Sequence, residues 1–191
     1  IDCEIINHDK SEHKEKIAAE NNQETFGNLS SLLKCFEVAK KDQSDLIYFV
    51  EDDYLHYEHS LVDMLNTYER VSSQHKDEII VCPSDYPFNY MNNEKTNILI
   101  GSQQHWRTIT KMLCTFMISK KMFQKHIDNF EKTCEKRHEP FEKYLNKILE
   151  SEIGISPIKS LAIHMTNVNS SYGLSPFIDI KKLWEENKIG Q

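Results

Sequence analysis

The feature that most constrains the fold is a short apolar run, DLIYFV at residues 45–50, followed at once by three acidic residues, Glu51, Asp52 and Asp53. A run of this length, rich in β-branched and aromatic residues, is typical of a strand buried on both faces. Such a strand belongs in a sheet that helices cover. Because open α/β sheets bind ligands at the carboxyl ends of their strands, the acidic triplet marks the predicted functional edge.

Segments of helical and strand-like periodicity alternate on both sides of this run. We predict an α/β fold with a mixed, mainly parallel sheet flanked by helices, in three Rossmann-like layers. An amphipathic helix is predicted at 27–41, with Asn28 or Ser30 near its start. Further helices are predicted at 57–72, 119–134, 139–150 and around 180–186, and strands at 1–7, 78–82, 97–101, 112–118 and 155–164.

Length and composition set outer bounds on the kind of protein. The 191 residues contain no repeat and no Pro/Gly/Ser-rich linker, so a single domain over residues 1–191 is expected. The net charge of −7 argues against a broad nucleic-acid surface and against docking on anionic lipid. Only 5 glycines are present, and neither GxGxxG nor GxxxxGK[ST] occurs, which excludes a glycine-rich phosphate loop.

Location and processing leave weaker marks in the sequence. No run approaches the roughly 18 apolar residues that span a bilayer, and residues 1–20 lack the pattern of a signal peptide. The 5 cysteines are odd in number and form no CxxC pair, so we expect reduced thiols and a cytoplasmic protein. The sequence starts without Met at a predicted strand, and we expect it to be a piece of a longer chain.

The acidic triplet is suited to a divalent cation. In an extended segment Glu51 and Asp53 point to the same side and Asp52 to the other, so Glu51 and Asp53 can share one site. Adjacent carboxylates repel one another, and Mg²⁺ or Mn²⁺ relieves that repulsion with the hard oxygen ligands that it prefers. The alternative is a solvated acidic turn that closes a strand.

The segment LIYFVEDDYLH resembles the acidic D-x-D-type motif of GT-A glycosyltransferases, in which the triplet follows a central strand. The resemblance covers residues 25–180 and looks closest to inverting, family-2-like members. It continues through a strand and loop, a strand–helix pair, an acidic helix start and a late strand that ends in His: VCPSDYPFNY, HWRTITKMLCTFMIS, HEPFEKYL and SPIKSLAIH.

This resemblance implies a metal-dependent enzyme that moves a sugar from a nucleotide-diphosphate donor to a hydroxyl acceptor such as a glycan. Mn²⁺ or Mg²⁺ would be held by Glu51, Asp53 and His164, since Mn²⁺ accepts mixed oxygen and nitrogen ligands. For His164, the alternative is an inert, hydrogen-bonded residue at a strand end. Asn28, Glu51, Asp52 and Arg107 would contact the nucleotide-sugar cofactor.

An inverting transfer also needs a carboxylate that takes the proton of the acceptor hydroxyl. By position Glu139 resembles the catalytic residue of related inverting enzymes, and Glu142, one helical turn further on, is an alternative. Asp85, in the aromatic loop at 84–96, is another candidate base. An ordinary first-turn acid that favours the helix dipole is the simpler interpretation of Glu139.

Aromatic and histidine residues remain open to two interpretations each. Trp106 and Arg107 could stack on a sugar and bind phosphate, or form a packed Trp beside a salt-bridged Arg. The aromatic residues of the 84–96 loop could line an acceptor groove or a satellite core. His56 and His59 are spaced for a zinc site. The aromatic residues of that loop are Tyr86, Phe88 and Tyr90.

One departure from the resemblance supports rival functions. GT-A folds begin with a strand, a helix and a strand that grip the nucleobase, whereas this sequence enters later, at IDCEIIN. The rival is a non-catalytic GT-A-like binding or assembly module that has lost the nucleotide site. A divalent-dependent nuclease or phosphatase is a third possibility, against which the acidic surface and the lack of a second acidic cluster weigh.

Overall fold

The computed structural model describes residues 4–18, 20–91, 93–165 and 178–188. Two 3₁₀ turns span Lys10–His13 and Pro87–Tyr90. The helices are α1 Gln23–Lys41, α2 Ser60–His75, α3 Lys120–Lys125, α4 Ile127–Thr133, α5 Lys143–Ile148 and α6 Ile180–Glu186. The strands are β1 Leu46–Phe49, β2 Tyr54–His56, β3 Ile79–Val81, β4 Ile98–Ile100, β5 His105–Ile109, β6 Phe116–Ser119, β7 Ile153–Pro157 and β8 Ala162–His164.

The main sheet has six strands in the order β1-β6-β3-β7-β5-β4. The predicted α/β class with a mixed sheet between helices is confirmed. The prediction of a mainly parallel sheet is wrong, because only β3 and β7 run parallel and the other four pairings are antiparallel. A continuous apolar run reports burial on both faces, which antiparallel strands under helices share with parallel ones.

Side chains alternate between two cores, one on each face of the sheet. On one face, α1 and the helices after β6 bury a cluster of phenylalanines that includes Phe36, Phe116 and Phe130. On the other face, α2 packs Met64 and other apolar residues against β3, β5, β6 and β7. Apolar cover on both faces is compatible with three layers and explains why these strands read as continuous apolar runs.

Several element boundaries differ from the predictions. Helix α1 begins at Gln23, because the Asn22 side chain accepts a hydrogen bond from the backbone N–H of Thr25 at 3.0 Å and caps it earlier than predicted. Residues 4–9 have no regular secondary structure, so the predicted strand at 1–7 is wrong over 4–7, and residues 1–3 lie outside the described residues. The helix predicted at 139–150 shortens to α5, and the segment 155–164 divides between β7 and β8.

A second, two-stranded sheet positions the functional edge. Strands β2 and β8 pair antiparallel, with Tyr54 opposite His164. The backbone N–H of Met165 also donates to the carbonyl oxygen of Asp53 at 2.8 Å. The chain that leaves β1 through the acidic triplet is therefore fixed against the end of β8.

Two further findings bear on the sequence predictions. Cys35, Cys82, Cys114 and Cys134 are free thiols, and all but Cys35 are buried. Within the described part of the chain, none of the helices has the length and hydropathy needed to cross a bilayer.

Candidate functional site

Glu51 lies directly after β1 and is held there by a hydroxyl from β6's approach. Its backbone N–H donates to the Thr115 Oγ1 at 3.0 Å, and that hydroxyl lies 3.4 Å from the Glu51 carboxylate. Burial raises the pKa of Glu51 to about 7, and the negative charges of Asp53 and Glu142 raise it further in the same direction. The carboxyl group is therefore kept close to other acids in a partly dry setting.

Asp53 and His164 meet across the small sheet. The His164 Nε2 lies 2.8 Å from the Asp53 Oδ2, and the ring of Tyr54 stacks on the imidazole with centroids 4.8 Å apart. Two adjacent ligands of an octahedral Mg²⁺ at about 2.1 Å lie roughly 3 Å from each other, close to this separation. The structure thus brings together two of the three residues that we predicted as metal ligands.

Glu142 is the fourth member of this group. It precedes α5, is half-buried, and its pKa is raised by burial and by the negative charge of Glu139, while His164 acts in the opposite direction. Glu139 itself is exposed on the surface beside the cis Glu139–Pro140 bond. Of the two candidate bases in this segment, Glu142 is the one that faces the site. We call Glu51, Asp53, Glu142 and His164 the acidic cluster.

The acidic cluster has the donor chemistry of a hard-cation site, although its ligands do not close around one point. Among the described residues, no three His, Cys, Asp or Glu side chains are arranged to hold a metal ion. The Asp53–His164 pair provides two donors at a ligand-like spacing, and the Glu51 carboxylate provides the nearest further charge. The three-residue metal site remains a prediction.

Asp85 and Arg107 form a separate interior ion pair. Asp85 is fully buried, and the Tyr90 hydroxyl donates to its carboxylate. The Arg107 Nη2 lies 3.7 Å from the Asp85 Oδ1 and donates to the Tyr90 hydroxyl at 2.6 Å. Trp106 is also fully buried. This arrangement matches the packed Trp and salt-bridged Arg that we gave as the alternative to sugar and phosphate binding.

The other candidates are scattered. Asn28 is exposed on α1, and Asp52 is exposed in the turn after β1. The His56 Nε2 lies 2.6 Å from the Tyr48 hydroxyl, so an aromatic neighbour already occupies one nitrogen of the proposed zinc pair. Neither Asn28 nor Asp52 has a described hydrogen bond that joins it to the acidic cluster.

The aromatic loop forms a satellite core that reaches the acidic cluster through Tyr54. The rings of Tyr86 and Phe88 stack with centroids 5.1 Å apart, and the Tyr86 hydroxyl is hydrogen-bonded to that of Tyr54. Tyr86, Tyr54 and Ala162 are buried together. The loop therefore supports the residue that stacks on His164.

Sequence reasoning missed two supporting residues, Thr115 and Tyr54. Thr115 was visible as a lone hydroxyl within the apolar run MLCTFMI, which is a signal for a buried polar contact. Tyr54 carried no such signal, because its role depends on pairing with His164 across the chain.

Two cavities lie elsewhere in the described residues. One of about 270 Å³ is bordered by the start of α2 and by α6, and a groove of about 620 Å³ runs between α1 and β1. Neither is lined by a residue of the acidic cluster. No family model matches the sequence, and no curated protein matches it significantly. The functional argument accordingly rests on the site itself.

Proposed function

We propose that the protein is a metal-dependent glycosyltransferase of the GT-A type. It would move a sugar from a nucleotide-diphosphate donor to a hydroxyl acceptor with inversion. The observation that carries the proposal is the approach of His164 to Asp53 at 2.8 Å, beside Glu51 and Glu142, at the end of the strand LIYF. The acidic motif and the late histidine were singled out together on sequence grounds, although they are 111 residues apart.

Asp53, His164 and Glu51 are the residues that would hold Mn²⁺ or Mg²⁺. Bound there, the cation would supply neutralising charge for the diphosphate leaving group. Glu51 fits this role because its pKa of about 7 reflects burial among like charges, a setting that a cation relieves. The stacked ring of Tyr54 fixes the orientation of the His164 imidazole.

Glu142 is the carboxylate best placed to take the proton of the acceptor hydroxyl. Burial raises its pKa toward the pH at which the enzyme works, which is the condition for an effective general base. Glu139 is exposed and remains the second candidate. Asp85 and Arg107 have no part in this mechanism, since each is engaged by the other and by Tyr90 in the interior.

Titration calorimetry with UDP and with GDP, in the presence and absence of Mn²⁺, tests the proposal. We expect metal-dependent binding of at least one nucleotide that Asp53→Ala abolishes. The matched control is Glu58→Gln, which removes an exposed carboxylate shortly after β2 and should bind as the unaltered protein does. Failure of both nucleotides to bind folded protein with Mn²⁺, or full binding by Asp53→Ala, would refute the proposal.

One observation favours the rival, a glycan-binding or assembly module without catalysis. Asp53 and His164 satisfy each other by hydrogen bonding, and the described residues present no closed metal site. Such a module would bind an oligosaccharide equally well in chelator and in Mn²⁺. The enzyme would instead require the cation for donor binding, so the same calorimetric series in EDTA separates the two functions.

A further inference from the structure

Strand β1 lies at the edge of the main sheet, with β6 as its neighbour on one side. Within the described residues, no other strand pairs with its second side. Edge strands in native proteins are usually protected by Lys, Pro, a bulge or an inward-pointing charge. The sequence of β1 is Leu-Ile-Tyr-Phe, which contains none of these.

An apolar groove of about 620 Å³ runs along this open edge, between β1 and α1. Three apolar side chains that line it are exposed: Ile6 at 44%, Val38 at 36% and Val50 at 51%. Backbone groups that can accept a strand therefore lie beside apolar surface that a neighbour would cover. This combination is the chemistry of β-strand addition.

The charges on α1 are arranged symmetrically about the centre of the groove. Lys34 and Asp42 both line it, and they lie four residues before and four residues after Val38. A two-fold axis normal to the sheet that pairs β1 with the β1 of a second copy also places the two α1 helices side by side and antiparallel. Lys34 of one copy is then level with Asp42 of the other, and this ion pair occurs twice.

We propose that the protein self-associates through this edge, as a symmetric dimer in which two β1 strands pair antiparallel and the two sheets become continuous. The occupant of the groove is thus a second copy of the chain. The complementary charges fix the register, and the apolar residues of the groove supply the buried surface. This surface is distinct from the acidic cluster, so the dimer does not depend on the proposed enzymatic function.

Sedimentation equilibrium of the full chain, from about 1 µM to about 1 mM, measures the association directly. We expect a monomer–dimer equilibrium within this range, and a monomer at every concentration would overturn the proposal. Hydrogen exchange identifies the surface: protection of the Leu46–Phe49 amides should rise with concentration. A dimer that forms without this added protection would place the interface elsewhere.

A charge exchange tests the register. Lys34→Glu and Asp42→Lys should each raise the dimer dissociation constant about tenfold, since each substitution puts like charges together twice. The double variant restores opposite charges and should return to the original constant. Glu12→Gln is the matched control, because it removes the partner that holds Lys34 at 3.2 Å within the same chain and leaves the interface intact. A double variant as weak as the single ones would contradict the antiparallel pairing.

Discussion

Asp85 and Glu51 both follow an apolar strand, yet the chain compensates their charges in different ways. Asp85 is fully buried but receives a hydrogen bond from Tyr90 and lies 3.7 Å from the guanidinium of Arg107. Glu51 is less buried, and its charged neighbours are carboxylates. No described lysine or arginine forms a salt bridge with Glu51. Burial raises the pKa of Asp85 to about 6 and that of Glu51 to about 7.

The difference separates a carboxylate that belongs to the fold from one that is available for function. An interior acid with its own cation is a finished structural element. A cluster of acids without one is destabilised until a cation or a proton arrives, and such strained electrostatics is typical of functional sites. The acidic cluster is therefore the better place to expect ligand chemistry, even though Asp85 is the more deeply buried acid.

The largest expected effect comes from removing the internal cation. Arg107→Met should lower the free energy of unfolding by about 3–5 kcal/mol, because it leaves the buried Asp85 carboxylate without its partner. Urea denaturation at pH 7 measures the change. Lys111→Met, which breaks an exposed pair with Glu94 at 3.5 Å, serves as the control and should change stability by less than about 0.5 kcal/mol. A loss below about 1 kcal/mol for Arg107→Met would show that Arg107 does not compensate Asp85.

A smaller effect of opposite sign is expected at the acidic cluster. The folded state holds a proton on Glu51 more tightly than the unfolded state, so stability is greatest below pH 4.5 and falls as pH rises through about 7. Glu51→Gln should therefore raise the free energy of unfolding by about 1–3 kcal/mol at pH 8 in EDTA and leave it unchanged at pH 4.

Urea denaturation of both proteins across this pH range measures the effect, and Glu58→Gln is the exposed control. A gain that is equal at pH 4 and pH 8 would mean that the glutamine acts by packing rather than by removing a charge.

The smallest effect sharpens the description of the ion pair. Tyr90→Phe removes the hydroxyl that lies between Asp85 and Arg107 but keeps the ring, whose centroid is 4.3 Å from the guanidinium carbon. We expect a loss of about 1 kcal/mol in the free energy of unfolding. The pKa of Asp85 should also rise, since the Tyr90 hydrogen bond holds it down. An NMR titration of the Asp85 carboxyl carbon checks this direction, and an unchanged value would remove Tyr90 from the network.

The sequence was sufficient to predict which segments are buried and which edge carries the acids. The runs at 45–50 and 78–82 became β1 and β3, because a buried strand must be apolar whatever its neighbours are. Strand direction was not predictable from the same runs, since burial on both faces carries no information about orientation. Strand β2 was missed because three residues, Tyr-Leu-His, show no period.

The site was predictable to the same limited extent. The convergence of Asp53 and His164 was expected from the resemblance, and the structure brings them together. The engagement of Arg107 by Asp85 and Tyr90 was not predictable, because the three residues come from a strand, a loop and a 3₁₀ turn that only the tertiary fold assembles. A charged residue looks the same in the sequence whether it is bound internally or offered to a ligand.

The pairing of β2 with β8 has a consequence for how the protein is made. Asp53 leaves the ribosome 111 residues before His164, which at typical translation rates is a delay of roughly 5–20 s. During that interval the acidic triplet is already synthesised, but neither its imidazole neighbour nor the strand that holds it in place exists. The growing polypeptide therefore cannot form the Asp53–His164 pair until nearly all of its sequence has been translated.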